Sequence, residues 1–236
     1  MGRLLKIAAV LGVLAALATG AVIAVTLLRA DDAGLRTAAP EIPAGADVSP
    51  TAAPAGSSGA LRFVIDQAGS EVKYVVRETL RGVVGVNAVG TTNAISGDLY
   101  LTRQGLAPGG QSKFSVDLRQ LKTDESLRDN FVRQNVLQTT RFPTADFVAD
   151  AISGFPANYT EGQEVPMTLK GQLTIHGVTR SVEWEVKARQ AGDTLTGIAN
   201  LSFNMTDFGI TPPTVPLAKA EDGVQLQVTI VARRAA

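Results

Sequence analysis

The stretch MTLKGQLTIHGVTRSVEWEVKA, which runs from Met167 to Ala188, decides the fold of this chain. Leu173 and Ile175 alternate with polar residues before the central HGVT, and Trp184 lies between two glutamates after it. Alternation with a period of two, interrupted by a short turn that contains glycine, predicts two antiparallel strands with one apolar face. A lone hairpin is at best marginally stable in water, so we expect more strands of this kind elsewhere in the chain.

Composition narrows the possible functions. The 236-residue chain is 45% hydrophobic and has a formal net charge of zero, which argues against a strongly basic nucleic-acid-binding protein. It contains no cysteine and one histidine, His176. Structural zinc, iron–sulfur clusters, disulfides and thiol catalysis are therefore excluded or nearly so, and any metal would need oxygen ligands. We expect no metal site and no cofactor.

An apolar run of 22 residues without a charge, Ile7 to Leu28, lies near the start of the chain. At about 1.5 Å per residue, a helix of this length spans the hydrocarbon core of a bilayer. Arg3 and Lys6 precede the run, which favours a cytoplasmic N-terminus. We therefore predict a transmembrane helix within residues 1–29 that anchors a periplasmic or extracellular domain. The alternative is a signal peptide cleaved near residues 16–18, which would make the protein secreted.

Residues 30–60 follow the apolar run and are rich in Ala, Pro, Gly and Ser without hydrophobic periodicity. That composition predicts a disordered, flexible linker. As a random coil, this linker would place the next domain on the order of 30 Å from the membrane. Residues 61–236 are enough for one domain with its own core, so no second domain is needed.

The pattern of residues 61–236 predicts an all-β domain. Alternating segments recur as far as Ile230, and they amount to about eight strands of mostly antiparallel type. The pattern changes at Lys122, and one helix is predicted after the fourth strand, with Thr123 as its N-cap and its end near Leu137. The glycine-rich segment Arg81–Thr92 is predicted to be a mobile loop. Eight strands favour a closed antiparallel β-barrel, either filled by side chains or holding one small ligand, with a sandwich as the alternative.

Small residues on the apolar faces bear on whether such a barrel is filled. Gly197 and Ala199 are in phase with Leu195 and Leu201, and Gly97 lies on the apolar side of its strand. Small side chains leave the room that a ligand cavity needs, but they also mark bends where strands coil. From the residues alone, both interpretations stay open.

No arrangement typical of an active site emerges from the sequence. His176 precedes Gly177 at the hairpin turn, and no nucleophile or carboxylate is spaced to work with it. The carboxylates are spread singly along the polar strand faces, so no acid/base pair can be placed. Arg128 and Asp129, in the predicted helix, either hold the helix against the barrel or meet a ligand head group. We therefore expect a protein that is not an enzyme.

Several short segments together resemble one known family, the YceI-like proteins, which are lipocalin-like barrels implicated in binding polyisoprenoids. Each segment alone is a weak signal, but their order makes the match fairly specific. The resemblance covers nearly all of residues 61–232, and it rests on FVID at 63–66, the Ser-x-Val-x-Tyr-x-Val strand at 70–76, Asp124 with Arg128-Asp129, FPTADF at 142–147, GQLTIHGVTRSV at 171–182 and DFGI at 207–210.

The resemblance implies a barrel whose lumen takes a long apolar chain such as a polyisoprenoid, for carriage or sequestration rather than chemistry. The strand phase then gives the inward-facing side chains that we expect to line the ligand site. They are Tyr74, Val76, Leu99, Phe114, Val116, Phe131, Phe147, Leu173, Trp184 and Phe203. The alternative is an envelope protein-interaction module whose barrel is filled by side chains and displays the Arg81–Thr92 segment to a partner.

Overall fold

The computed structural model describes residues 34–42, 60–80, 83–109, 112–216 and 218–235. The transmembrane helix predicted within residues 1–29 lies outside these ranges. Within them, no helix is both long enough and apolar enough to cross a membrane.

The domain is built from antiparallel strands in which apolar and polar residues alternate, as the hairpin sequence predicts. In chain order, the strands are β1 (Leu61–Ile65), β2 (Glu71–Leu80), β3 (Val83–Thr92), β4 (Ile95–Thr102), β5 (Gly105–Leu106), β6 (Lys113–Asp117), β7 (Thr144–Ser153), β8 (Val165–Ile175), β9 (Val178–Ala191), β10 (Thr194–Asn204), β11 (Thr214–Val215) and β12 (Ala218–Arg234).

Eight of these strands close into an antiparallel barrel, which confirms the fold class expected from the sequence. The order around the ring is β1, β4, β6, β7, β8, β9, β10 and β12, and β12 pairs back with β1. The closing register sets Phe63 opposite Arg234 and Ile65 opposite Ala232. Because the ring closes, backbone donors and acceptors of β1 and β12 pair with each other and no sheet edge is left open between these two strands.

The long strand β12 organises one side of the barrel. Its first part, Ala218–Thr229, pairs with β2, and its last residues, Ala232–Arg234, pair with β1. β1 and β2 therefore lie end to end along the same neighbour. Between them the chain makes a short 3₁₀ turn, Gln67–Gly69, which the Asp66 carboxylate caps by accepting from the Ala68 amide.

β3 lies where the glycine content predicts a mobile loop, and that prediction is wrong. It pairs with β2 over most of its length, with Ala88 opposite Val76 and Gly90 opposite Tyr74. The small residues of β3 thus face large residues of β2. Glycine marks a close side-chain approach in this segment, not a turn.

The hairpin is formed by β8 and β9 in one continuous register, with Leu169 opposite Trp184 and Ile175 opposite Val178. His176 and Gly177 are its two turn residues, with φ of 53° and 76°. Positive φ at both central positions is the backbone geometry that matches the twist of a two-residue hairpin. The His176 ring packs against Phe142, with ring centroids 4.5 Å apart.

The helix is shorter than the sequence pattern predicts and follows β6. It comprises α1 (Ser126–Phe131) and one wider π turn, Val132–Val136. The N-cap is Glu125, whose carboxylate accepts from the Leu127 amide, and not Thr123 as predicted. Thr123 instead donates from its amide and hydroxyl to the Asp129 carboxylate, at 2.6 and 2.8 Å.

Residues 34–42 lie against the outer face of the barrel. Their composition predicts part of a flexible linker, yet Ala39 is buried and the Arg36 amide donates to the Gln227 side chain at 2.8 Å. The segment crosses β12, β10 and β9, with contacts that reach Arg189.

Candidate ligand-binding lumen

The inward faces of the strands surround a lumen of about 720 Å³. Aliphatic and aromatic side chains form most of its wall, including Leu173 and Trp184 from the hairpin and Val228 and Ile230 from β12. Small-molecule sites usually fall between about 300 and 1,000 Å³ and are mostly apolar. The lumen has the size and character of such a site.

Nine of the ten side chains expected to line a ligand site lie in the wall of this lumen. The strand phase places them there because every second residue of a barrel strand points inward. They are Tyr74, Val76, Leu99, Phe114, Val116, Phe147, Leu173, Trp184 and Phe203. Their contact with a ligand stays a prediction.

Phe131, the tenth, is outside the lumen wall, and its side chain is 37% exposed. The helical segment turns another stripe inward, formed by Arg128, Val132 and Val136. These residues are spaced i, i+4, i+8, as one face of a helix requires. Two such stripes exist in the sequence, and that of Leu127 and Phe131 faces outward, with Leu127 51% exposed.

Glycines hold aromatic rings against the wall and so keep the lumen open. A Cβ at Gly90 would overlap the Tyr74 ring, which lies over this glycine from the neighbouring strand. A Cβ at Gly171 would come within 2.5 Å of Cζ of Phe147 and would overlap the carbonyl of Val148. Because both rings lie over backbone without side chains, they project less far toward the barrel axis.

The small residues singled out in the sequence have different roles. Gly197 and Ala199 lie in the lumen wall with Leu195. A Cβ at Gly197 would lie 3.3 Å from the Lys187 carbonyl oxygen, which is slightly tight, 3.4 Å from Cβ of Ala188 and 3.6 Å from Cγ1 of Ile230. At Gly97, by contrast, φ is 150° and a Cβ would lie 2.8 Å from Cα of Phe114. Gly197 thus leaves room for a Cβ after a small adjustment of its neighbours, whereas Gly97 permits two strands to approach closely.

Polar groups enter the lumen wall beside the helix. Tyr74, Glu78 and Arg128 line this end, and Arg128 forms an ion pair with Asp124. Burial raises the pKa of Tyr74 to about 12, so the phenol stays neutral and keeps its proton. Burial also raises the pKa of Glu78, although Arg128 opposes that shift. These groups could meet the polar end of a ligand whose chain lies in the apolar lumen.

Glu78 is not among the side chains expected from the sequence to line the site, although the sequence contains a signal for it. Glu78 follows Tyr74 and Val76 at the same period of two, which places it on the inward face of β2. A charged residue on an apolar face is the exception that identifies the polar end of a pocket.

The opposite end of the lumen lies near the segment between β7 and β8. Phe155 and Tyr159 contribute to the wall there, together with Gln190 and Arg234. The Tyr159 hydroxyl accepts from the Gln190 amide at 2.7 Å and lies 2.9 Å from the Gln190 carbonyl. Arg234 is 3.6 Å from the Asp193 carboxylate. This end therefore also carries polar groups, and they are already engaged with protein partners.

The other residues considered for chemistry lie apart from one another. His176 occupies the hairpin turn, and its Nε2 has no hydrogen-bond partner within the described part of the chain. Asp129 lies in α1, and its carboxylate accepts a hydrogen bond from the Thr123 hydroxyl, which precedes the helix. The described residues contain no group of three or more His, Asp or Glu side chains that could hold a metal ion.

Comparison with solved structures identifies barrels of the same fold. BcnA from Burkholderia cenocepacia is 22% identical, with a TM-score of 0.56 over 71% of this chain and 98% of that chain. A polyisoprenoid-binding domain from Saccharophagus degradans is 14% identical, with a TM-score of 0.58 over 74% and 99%. The YceI protein of Campylobacter jejuni is 15% identical, with a TM-score of 0.52 over 67% and 91%.

The sequence itself gives the family. No curated protein matches this sequence. The family model of the YceI-like domain matches residues 63–232, which span almost the whole barrel from β1 to β12. The order of motifs, the closed eight-stranded ring and this match agree, and the chain belongs to the YceI-like family.

Proposed function

We propose that this protein binds a polyisoprenoid-like lipid in the barrel lumen and carries or sequesters it without changing it chemically. The observation that supports this most directly is the lumen of about 720 Å³ with an apolar wall and polar groups at the end near α1. The polyisoprenoid-binding domain from Saccharophagus degradans, which has the same fold, is the basis for the ligand class that we propose.

The energetics of such a site favour a long apolar chain. Each buried methylene contributes about 0.8 kcal/mol, so a few isoprene units bind tightly without many polar contacts. A branched, unsaturated chain lying along the barrel axis would contact the aromatic rings that the glycines hold against the wall. Tyr74 and Arg128 would donate hydrogen bonds to the polar end of this chain, and Glu78 would accept a hydrogen bond from it.

The competing hypothesis, an interaction module with a filled barrel, finds less support. The lumen is open, and most of the Arg81–Thr92 segment that would be displayed to a partner is the paired strand β3. An interaction surface elsewhere on the barrel is compatible with lipid binding and does not replace it.

The first test is to identify what the purified full chain carries. Organic extraction followed by mass spectrometry should yield a stoichiometric lipid, or the protein should take up a polyprenol in titration followed by Trp184 fluorescence. A protein that carries no lipid and takes up no polyprenol would overturn the proposal.

A substitution that narrows the lumen sharpens this test. Gly197→Leu should lower polyprenol uptake at least tenfold while the barrel stays folded, because the new side chain extends into space that a ligand needs. The matched control is Gly223→Leu on β12, where a Cβ meets nothing within 4 Å. Equal uptake by both variants would show that Gly197 does not border the ligand site.

We further propose that residues 1–29 anchor the barrel in the membrane outside the cytoplasm. The support is the charge-free run of 22 residues and the basic residues before it. N-terminal sequencing of the native protein in membrane and soluble fractions tests this: an intact N-terminus in the membrane fraction supports the anchor. A mature chain that begins after the apolar run, in the soluble fraction, would replace the anchor by a signal peptide.

A further inference from the structure

The outer face of the barrel buries polar side chains beneath residues 34–42. On the strands, outward positions are normally wet, yet Thr196 is 0% and Gln227 3% exposed. Ala39, in the segment above them, is 4% exposed. Buried polar groups are costly unless they are hydrogen-bonded, so the contacts that satisfy them define how the segment is held.

Most of these contacts recognise backbone atoms of the segment. The Gln227 side chain accepts from the Arg36 amide at 2.8 Å and donates to the Arg36 carbonyl at 2.9 Å, as a neighbouring strand would. Thr196 donates its hydroxyl to the Pro40 carbonyl at 2.6 Å, and the Ala39 amide donates to Glu164 at 2.8 Å. The backbone of the segment, which bends at Thr37 and Ala38, is thus bound at several points by side chains of the barrel.

Two features select particular side chains in the segment. The burial of Ala39 admits a small residue at that position. Two residues later, Glu41 forms an ion pair with Arg189 at 2.6 Å, and Arg189 also contacts Glu164 at 3.0 Å. A guanidinium held by a second carboxylate is a fixed and directional partner for an acidic residue. These contacts fit a peptide with a small residue followed, two positions on, by an acid.

We propose that the outer face of β9, β10 and β12 is a peptide-binding groove whose resident ligand is the chain's own segment 34–42. Thr196 and Gln227 point to the opposite side of their strands from the lumen, which Arg189 alone of the named groove residues also borders, so this function differs from lipid binding. The functional domain then begins at Gly34 and not at Leu61.

The groove also changes how the barrel is tethered, a consequence that rests on the proposed membrane anchor. With the segment docked, only residues 30–33 would separate the proposed anchor from the barrel, in place of residues 30–60. The barrel would be held by its side wall close to the bilayer, where an apolar ligand resides. Docking itself does not depend on the anchor, so a test of docking stays informative if the anchor proposal fails.

Hydrogen exchange on the full chain in detergent tests the docking. The amides of Arg36 and Ala39 should exchange at least tenfold more slowly than in an unstructured peptide. Gln227→Ala should remove that protection, whereas Gln225→Ala, at an exposed outward position two residues away, should leave it unchanged. Exchange of segment 34–42 at the unstructured rate in the unsubstituted chain would overturn the proposal.

A second variant covers the possibility that Gln227→Ala unfolds the barrel. Ala39→Arg alters the segment and leaves every barrel residue in place. It should expose segment 34–42 to exchange while Trp184 fluorescence shows a folded domain. Protection that persists in this variant would show that the segment is not held in the groove.

Peptides added in trans test recognition, and the chain supplies a matched control. The sequence TAAP occurs at 37–40 and again at 51–54. In the second copy, Pro50 and Ala55 stand where Arg36 and Glu41 stand in the first, so a peptide of residues 48–56 lacks both the amide that Gln227 accepts from and the acid. Peptide 34–42 should bind the Ala39→Arg chain at least tenfold more tightly than peptide 48–56. Equal binding, or none, would overturn the peptide-binding groove.

Discussion

The inner face of β10 and β12 and the patch of their outer face beneath residues 34–42 are shielded by different kinds of interaction. Inward, Leu195 and Val228 present apolar side chains to the lumen. Outward, Thr196 and Gln227 hydrogen-bond to one particular stretch of backbone. The same strands thus offer a non-directional surface on one side and a directional one on the other.

This difference indicates what each face can recognise. Apolar burial depends on area and hardly on orientation, so the lumen can accept chains that differ in length or branching. Hydrogen bonds require defined distances and angles, and an unmet buried partner is costly. The outer face should therefore be selective and the inner face permissive, and substitutions on the two faces should have separable effects.

The largest effect is expected where the lumen wall has no room at all. Gly171→Val would push a side chain into the Val148 carbonyl and the Phe147 ring. Overpacking against backbone costs about 3 kcal/mol of unfolding free energy. Urea unfolding should show this loss, with Gly223→Val as the control because its site is open. Equal stability of the two variants would mean that the Phe147 ring can leave the wall, and that the wall is less rigid than the structure indicates.

A smaller effect is expected when one residue on each face is replaced by a residue of similar shape, threonine by valine on the outer face and valine by threonine on the inner face. Thr196→Val removes the hydrogen bond to the Pro40 carbonyl and should cost about 1 kcal/mol, while polyprenol uptake is unchanged. Val228→Thr, by contrast, places a hydroxyl in the lumen and should lower uptake without exposing segment 34–42. Unfolding, uptake and hydrogen exchange measured on both variants check the comparison. If each substitution changed both readouts, the faces would be coupled.

The regular parts of this fold are predictable from sequence because their signals are local. Alternation in β8 and β9, together with a two-residue turn at His176, predicts the hairpin and its inward face. The same phase places nine of the ten expected side chains in the lumen wall. Closure of the ring depends on long-range pairing, and the strand count and the family resemblance supplied that expectation.

The features that differ from the sequence predictions depend on partners far along the chain. The glycines of β3 predict a loop because the sequence does not show that the Tyr74 ring, on the neighbouring strand, lies over Gly90. Phe131 and Val132 both have i, i+4 partners, and packing on the barrel decides which stripe turns inward. Segment 34–42 has no hydrophobic periodicity, and its composition does not show that Gln227, 191 residues from Arg36, satisfies its backbone.

The smallest expected effect concerns Glu78, where the inner face departs from its apolar character. Burial raises the pKa of its carboxyl above the ordinary 4.5, despite the nearby Arg128 and with Asp124 adding to the shift. The folded barrel therefore binds this proton more tightly than the unfolded chain does, so stability falls as pH rises from 4.5 through the folded pKa.

Glu78→Gln should remove this loss and make the protein more stable than the unsubstituted chain at neutral pH, by less than the Thr196→Val effect. Thermal unfolding between pH 4 and 8 measures it, with Glu185→Gln on the exposed face of β9 as control. An identical pH dependence in all three proteins would mean that the Glu78 carboxyl is as well solvated in the barrel as in the unfolded chain, and that this end of the lumen is open to water.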